Sequence, residues 1–241
     1  ARQLILHARH HDPFSFLGQH ANHDDTENKF TYRALIPSAA EVSVKNGDAW
    51  VKLEKTHRDG LFELHAKTAL PKPCLLKVDT GSHSYQIYDP YTFNNSITQD
   101  ELYLFGEGRL KQAYKTLGAQ CMTQDGIDGV RFAVWAPNAE RVSVIGSFNN
   151  WDGRIHSMRA HGSSGVWDIF IPGLTTSDTY KFEIRNRHTG NILVKTDPYG
   201  FEFEQRPGTA AKISSSHHQW QDKDWLNARK KRDWLHAPFN C

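Results

Sequence analysis

Residues 30 to 44, F-T-Y-R-A-L-I-P-S-A-A-E-V-S-V, lie over residues 130 to 144, V-R-F-A-V-W-A-P-N-A-E-R-V-S-V, without a gap. Pro37 falls on Pro137, and Val42-Ser43-Val44 on Val142-Ser143-Val144. Two further blocks keep the same order. Gly60-Leu61-Phe62-Glu63-Leu64 parallels Gly165-Val166-Trp167-Asp168-Ile169, and Asp89-Pro90-Tyr91-Thr92-Phe93 parallels Asp197-Pro198-Tyr199-Gly200-Phe201. Three matched blocks mean that one supersecondary unit is built twice, which constrains the fold more than any composition figure does.

Within the second copy, short apolar/polar alternations at 131–135, 141–146, 166–171, 179–185 and 191–196 are separated by turn residues. That spacing predicts an antiparallel β-sandwich. The expected fold is all-β: two tandem immunoglobulin-like β-sandwiches joined by a short helix. Leu110, Ala113, Tyr114 and Leu117 recur at helical spacing ahead of Gly118, which marks a helix stop. The division expected is an N-terminal sandwich over 1–104, a linker helix within 105–120, a second sandwich over 121–215 and a helical connector over 216–241. The connector helix is expected to start near Asp222 or Asp224 and to carry Trp225, Leu226 and the basic cluster Arg229-Lys230-Lys231-Arg232.

With 241 residues the chain is long enough for one or two cored domains, and its net charge of +2 does not suit a polyanion. The basic cluster is read as a solvated helix face, so no nucleic-acid partner is expected. No apolar run approaches the roughly 20 residues that span a bilayer, and nothing at the start reads as a secretory leader. Cys74, Cys121 and Cys241 are an odd number without CxxC spacing, which fits neither a disulfide framework nor a zinc site. A soluble, cytoplasmic monomer without cofactors is expected. The chain opens at Ala1 without a methionine and stops at Cys241 soon after Pro238, and so reads as a fragment.

Few side chains point to catalysis. His10-His11-Asp12 and His217-His218 lack further ligands at useful spacing, so no metal is expected. In His10-His11-Asp12-Pro13-Phe14-Ser15-Phe16-Leu17-Gly18, Pro13 is expected to start a turn that Phe14, Phe16 and Leu17 anchor to a core. GxSxG, phosphate-loop and HExxH patterns are missing, and the carboxylates read as solvated surface. No catalytic residue is assigned.

The stretch G-S-F-N-N-W-D-G, residues 146 to 153, puts Trp151 among turn formers. Asn149, Asn150 and Gly153 suit a sharp reversal, but the indole does not. Trp135 and Trp167 sit on the apolar phase of strands and are expected in the core, as is Trp50. An exposed indole beside amides could cover the C–H face of a pyranose while Asn149 or Asn150 bonds its hydroxyls, with Phe148 as the buried anchor. A packed or partner-facing tryptophan is the competing reading.

The HHDPFSFLG stretch, Gly60-Leu61-Phe62, Asp89-Pro90-Tyr91, the run 129–139, Val142-Ser143-Val144, Gly146, Phe148-Asn149, Trp167, Ile171-Pro172-Gly173-Leu174 and Asp197-Pro198-Tyr199 resemble the amino-terminal region of bacterial glycogen branching enzymes. The second half is similar to the family 48 carbohydrate-binding module shared with debranching enzymes. That family carries a (β/α)8 barrel after such modules, with an aspartate nucleophile and a glutamate acid/base. It cleaves an α-1,4-glucan and passes the severed chain to a C6 hydroxyl by a retaining mechanism. A barrel needs about 200 residues or more, and only 40 follow Phe201. The resemblance therefore implies a non-catalytic region whose partners are α-glucan (glycogen) and the catalytic barrel of the same polypeptide.

The same resemblance implies a glucan site at Trp151, Lys181 of Tyr180-Lys181-Phe182 and Thr209 of Gly208-Thr209, alongside Asn149 and Asn150. A second tryptophan of the family's site is here Val194, and an asparagine is here Ala211. One stacked ring with a lysine binds on the order of −4 kcal/mol, a ~1 mM dissociation constant. The alternatives are purely structural domains that set chain length without binding sugar, and an accessory domain of a debranching enzyme.

Overall fold

The computed structural model describes residues 1–22, 27–215 and 219–236; His217-His218 and Pro238 lie outside them. The first copy runs α1 (Arg2–Leu6), a 3-10 turn at Pro13–Ser15, then β1 (Gly18–Ala21), β2 (Phe30–Leu35), β3 (Glu41–Asn46), β4 (Ala49–Lys52), β5 (Glu54–His57), β6 (Leu61–Ala66), β7 (Leu75–Asp79) and β8 (Ser84–Tyr88). After a 3-10 turn at Pro90–Thr92 and α2 (Gln99–Gly106) come β9 (Gly118–Gln124), β10 (Ile127–Trp135), β11 (Ala139–Gly146), β12 (Arg159–Ala160), β13 (Val166–Pro172) and β14 (Thr179–Asn186). The second copy ends with β15 (Ile192–Lys195), β16 (Glu202–Phe203) and β17 (Ala211–Lys212), followed by α3 (Lys223–Lys231).

Each copy is a pair of antiparallel sheets. The first has orders β1-β2-β6-β5 and β4-β3-β7-β8; the second has β9-β10-β13-β12 and β11-β14-β17-β16, with β15 also on β14. The registers repeat: Leu35 faces Leu61 as Trp135 faces Val166, and Val42 faces Val78 as Val142 faces Ile184. The sequence repeat is thus a repeat of strand pairing, which supports the β-sandwich reading.

The helix between the copies is displaced from its expected place. Residues 110–117 hold only a 3-10 turn at Ala113–Lys115, and α2 lies upstream. The reason is capping. Thr98 Oγ1 accepts the Glu101 N–H (3.2 Å) while Glu101 Oε2 accepts the Thr98 N–H (2.8 Å), and Asp100 and Glu101 complement the helix dipole. Gln112 offers no side-chain cap to the later segment. At α3, Asp222 occupies the N-cap without a side-chain bond, and the basic residues are exposed, with Arg229 over the Trp225 ring.

Two tryptophans expected in the core are not there. Trp135 is 54% exposed and Trp50 37%, whereas Trp167 is buried. Trp50 lies on the edge strand β4, which is mostly exposed. Residues 129–134 of β10 are buried on both faces, so alternation carries no phase there, and Trp135 emerges at the strand end beside Phe105 of α2.

The copies share a core. Ile5, Leu6, Leu17, Leu35, Leu61 and Tyr91 pack in one cluster with Val130, Phe132, Val144 and Tyr180 of the second copy. The HHDPFSFLG stretch forms part of the joint: Leu17 is buried, Phe14 lies under the Arg159 guanidinium (3.9 Å), and the His11 carbonyl accepts the Ala160 N–H (3.1 Å). His10 and His11 stack on each other, and among the described residues no group of three His, Cys, Asp or Glu is placed to hold a metal. Arg141 Nε donates to the Ala8 carbonyl (2.9 Å). Tyr91 reaches furthest: its hydroxyl donates to the Ile155 carbonyl (3.0 Å) and accepts the Ser157 N–H (3.0 Å).

Tyr91→Phe strands the Ser157 N–H and the Ile155 carbonyl at a buried joint, a loss of about 1–3 kcal/mol. A melting temperature lower by roughly 3–10 °C is expected in calorimetry. An unchanged value would mean that the joint does not depend on this hydroxyl.

Candidate functional site

The loop of interest exists because the second copy is longer at one point. In the first copy the Leu53 N–H donates to the Val42 carbonyl, and in the second the Met158 N–H donates to the Val142 carbonyl. The two bonds span 11 and 16 residues, so five extra residues follow β11. The first copy closes the gap with a tight turn at Gly47, at φ +60°. The second uses the addition for a 3-10 turn at Ser147–Asn149 and the segment beyond it.

Asn149 holds this loop and is spent in doing so. It is 4% exposed; its Oδ1 accepts the Gly146 N–H (2.9 Å), and its Nδ2 donates to the Val144 carbonyl (2.9 Å) and to His156 Nδ1 (2.9 Å). No group remains for a sugar hydroxyl, which corrects the expectation that Asn149 contacts a ligand. Phe148 is half-buried and packs beside Phe132, as an anchor should.

Asn150 and Trp151 then adopt positive φ, +52° and +59°. Asn tolerates this region; a tryptophan enters it at a cost of about 1–2 kcal/mol. The result is an indole 42% exposed at the end of the sandwich. Gly153 lets the loop settle, because a Cβ there would overlap the Glu183 carboxylate. Glu183 is in turn paired with the buried Arg141 (2.7 Å).

Two of the remaining candidates, Lys181 and Thr209, meet on the outer face of β14, and a backbone bond ties Trp151 to the adjoining strand end. The Trp151 N–H donates to the Gly146 carbonyl (3.0 Å), and Gly146 pairs with Tyr180, the neighbour of Lys181. Tyr180 and Phe182 point inward and are fully buried, so Lys181 points outward. Lys181 Nζ donates to Thr209 Oγ1 (2.5 Å), while the Thr209 carbonyl accepts Thr196 Oγ1 (2.6 Å). Val194 faces Glu183 across β14–β15 and is 50% exposed, so position 194 lies on this same face without an aromatic ring. Ala211 is fully buried in the core.

This arrangement is suited to binding rather than acid/base catalysis. The nearest carboxylates are committed: Asp152 to Arg154 (2.6 Å), which holds it below the usual carboxylate range, and Glu183 to Arg141. A flat indole, an ammonium and a hydroxyl remain. Neither the Arg141–Glu183 pair nor His156 has a signal in the sequence, because both are set by tertiary packing.

Residues 2–91 match the family described as "alpha-1,4-glucan branching enzyme GlgB, N-terminal domain", and residues 116–200 match "Carbohydrate-binding module 48 (Isoamylase N-terminal domain)". The chain is 60% identical, over 98% of its length, to a 1,4-alpha-glucan branching enzyme GlgB of Methylobacillus flagellatus, and 49% identical, also over 98%, to that of Nitrosospira multiformis. It is 42% identical to the Thermosynechococcus vestitus enzyme of the same name over 98% of its length. The chain spans about a third of the length of these relatives, 31–32% in each case.

Burial pushes the His156 imidazole from 6.5 down to about 4, so the folded chain holds it neutral. Below pH 6.5 the unfolded chain takes up a proton that the folded chain refuses until about 4. This contribution to stability is therefore complete above pH 6.5 and is lost as pH falls towards 4. Asp89 acts in the opposite sense, since burial raises it from 3.8 to about 6 and the folded chain protonates first. His156→Gln isolates the histidine: its melting temperature is expected to fall less than the parent's between pH of about 7 and about 4.5. Equal falls would show that His156 is not held neutral.

Proposed function

Residues 2–91 and 116–200 match the GlgB N-terminal domain and carbohydrate-binding module 48 families, and from that premise we propose that the chain is the non-catalytic N-terminal region of a 1,4-alpha-glucan branching enzyme. It supports the catalytic barrel of the same polypeptide and holds α-glucan weakly on Trp151, Lys181 and Thr209, with Asn150 at the rim. The barrel carries out the transfer that forms α-1,6 branches. A monomer in the cytoplasm, where a storage glucan is built, goes with this reading.

The observation that carries it is the Trp151 turn. An indole 42% exposed at positive φ, with no ring or cation contact among the described residues, supports this reading, as does a lysine on β14 already bonded to a threonine hydroxyl. The ring face suits the C–H side of a pyranose, and the lysine and threonine suit its hydroxyls. The exposed Val194 and the buried Ala211 favour a second reading, in which the copies only support the barrel and position its substrate by shape.

Affinity electrophoresis in gels containing glycogen separates the two. Trp151→Ala is expected to weaken retardation roughly tenfold, the loss of about 1.4 kcal/mol of aromatic contact. Lys181→Ala should weaken it less. Identical mobility of the parent and Trp151→Ala would remove the sugar-binding part and leave the structural reading.

A further inference from the structure

Between the two copies lies a cleft of about 510 Å³, within the size range of small-molecule sites. The first copy contributes Tyr85 and Tyr88 of β8; the second contributes Phe148, Asn150, His156 and Asp128. Phe148, Asn149 and Asn150 of the loop line it, and Trp151 does not.

Its polar groups are unspent. The Asn149 amide is oriented by the Gly146 N–H, so its Nδ2 donates to His156 Nδ1, and this bonding assigns the His156 proton to Nε2. Among the described residues that N–H has no protein partner, and His156 lines the cleft. The Tyr85 and Tyr88 hydroxyls and the Asn150 amide make no hydrogen bond among the described residues, although both tyrosines are half-buried. They line the cleft and are not sealed inside the protein, so they are available to a ligand or to water.

The charge of the lining selects the ligand. Among the described residues no lysine or arginine lines the cleft, whereas two carboxylates do: the buried Asp89, and Asp128, bonded on one oxygen by Thr123 Oγ1 (2.5 Å). A phosphate or another anion would enter uncompensated. Aromatic and aliphatic walls with scattered neutral donors and acceptors instead match the two faces of a sugar ring.

We propose that this cleft is a second saccharide site, separate from Trp151, which takes a short neutral oligosaccharide between the two copies. That the sugar is an α-glucan rests on the function proposed above; the cleft and its lack of cationic groups do not.

The test is titration of the whole ¹⁵N-labelled chain with maltotriose, following the His156 imidazole and the Tyr88 and Asn150 amides separately from Lys181 and Thr209. Saturable shifts at His156 and Tyr88 are expected in the parent and equally in Trp151→Ala. They should disappear in Ser38→Trp, which places a bulky ring at the cleft wall, with an unchanged melting temperature. If Ser38→Trp is destabilised, Tyr88→Phe serves instead and is expected to weaken the cleft binding about fivefold through loss of one hydrogen bond. Glucose 1-phosphate should leave His156 unmoved. Silence at His156 and Tyr88 while Lys181 and Thr209 shift would overturn the cleft and leave the proposed function standing. Cleft shifts that vanish in Trp151→Ala would also overturn it. Shifts at the cleft alone would sustain it and overturn the Trp151 platform, and silence everywhere at about 10 mM, tenfold above the millimolar scale, would overturn both.

Discussion

Each sandwich is closed by a carboxylate that water barely reaches. Asp89 is 3% exposed and Asp197 2%. Both take a backbone N–H two residues on, from Tyr91 and Tyr199, and both take a tyrosine hydroxyl, from Tyr32 (2.6 Å) and Tyr180 (2.5 Å). A buried carboxylate without such donors costs several kcal/mol, so the turn that supplies them is fixed. At Asp89 the consequences run on. The turn delivers Tyr91 into the second copy, where its hydroxyl holds Ile155 and Ser157 on either side of His156. His156 accepts from Asn149, Asn149 holds Gly146, and the Gly146 carbonyl receives the Trp151 N–H. The exposed indole thus stands at the end of a chain of hydrogen bonds that begins at a carboxylate in the other copy.

The two copies reach the same arrangement by different residues. Asp197 lies across from Tyr180 in the register that pairs Phe182 with Lys195, and it takes its hydroxyl from that neighbour. In the first copy the equivalent neighbour is Cys74, whose carbonyl accepts the Asp89 N–H. The hydroxyl comes instead from Tyr32 on the opposing sheet, at the position that Phe132 fills in the second copy. Phe132 and Tyr180 meet edge to face at 4.8 Å, so the space holds one large ring from each sheet in the second copy, and only one of them needs the oxygen. Moving the tyrosine across the core keeps the carboxylate satisfied.

Much of the fold was legible because it depends on period and offset. The repeat placed β10, β11, β13 and β14 within a few residues, since one buried face imposes alternation and the turns impose glycine and asparagine. It failed where another interaction outranks periodicity. Leu110, Ala113, Tyr114 and Leu117 have helical spacing but no cap, whereas Thr98 and Glu101 close a capping box that the apolar count ignores. Trp135 was misplaced because its strand is covered on both faces. At the loop, sequence could single out the indole that turn chemistry does not require. It could not tell which of two adjacent asparagines is consumed inside, since that is decided by a carbonyl at Val144 and a ring at His156.

The platform proposed at Trp151, Lys181 and Thr209 has a physical logic of its own. A lysine bonded to a threonine that is itself held from Thr196 is ordered before any ligand arrives, so less side-chain entropy is lost on binding. Val194, half exposed on the same face, leaves an apolar position without a ring. A contact of ~1 mM strength is useful for a substrate that presents many chains to several surfaces on one polypeptide, because linked weak sites multiply through effective concentration. It also releases each chain quickly. Under the function proposed above, a second aromatic ring at position 194 would lengthen each contact, and its absence favours quick release.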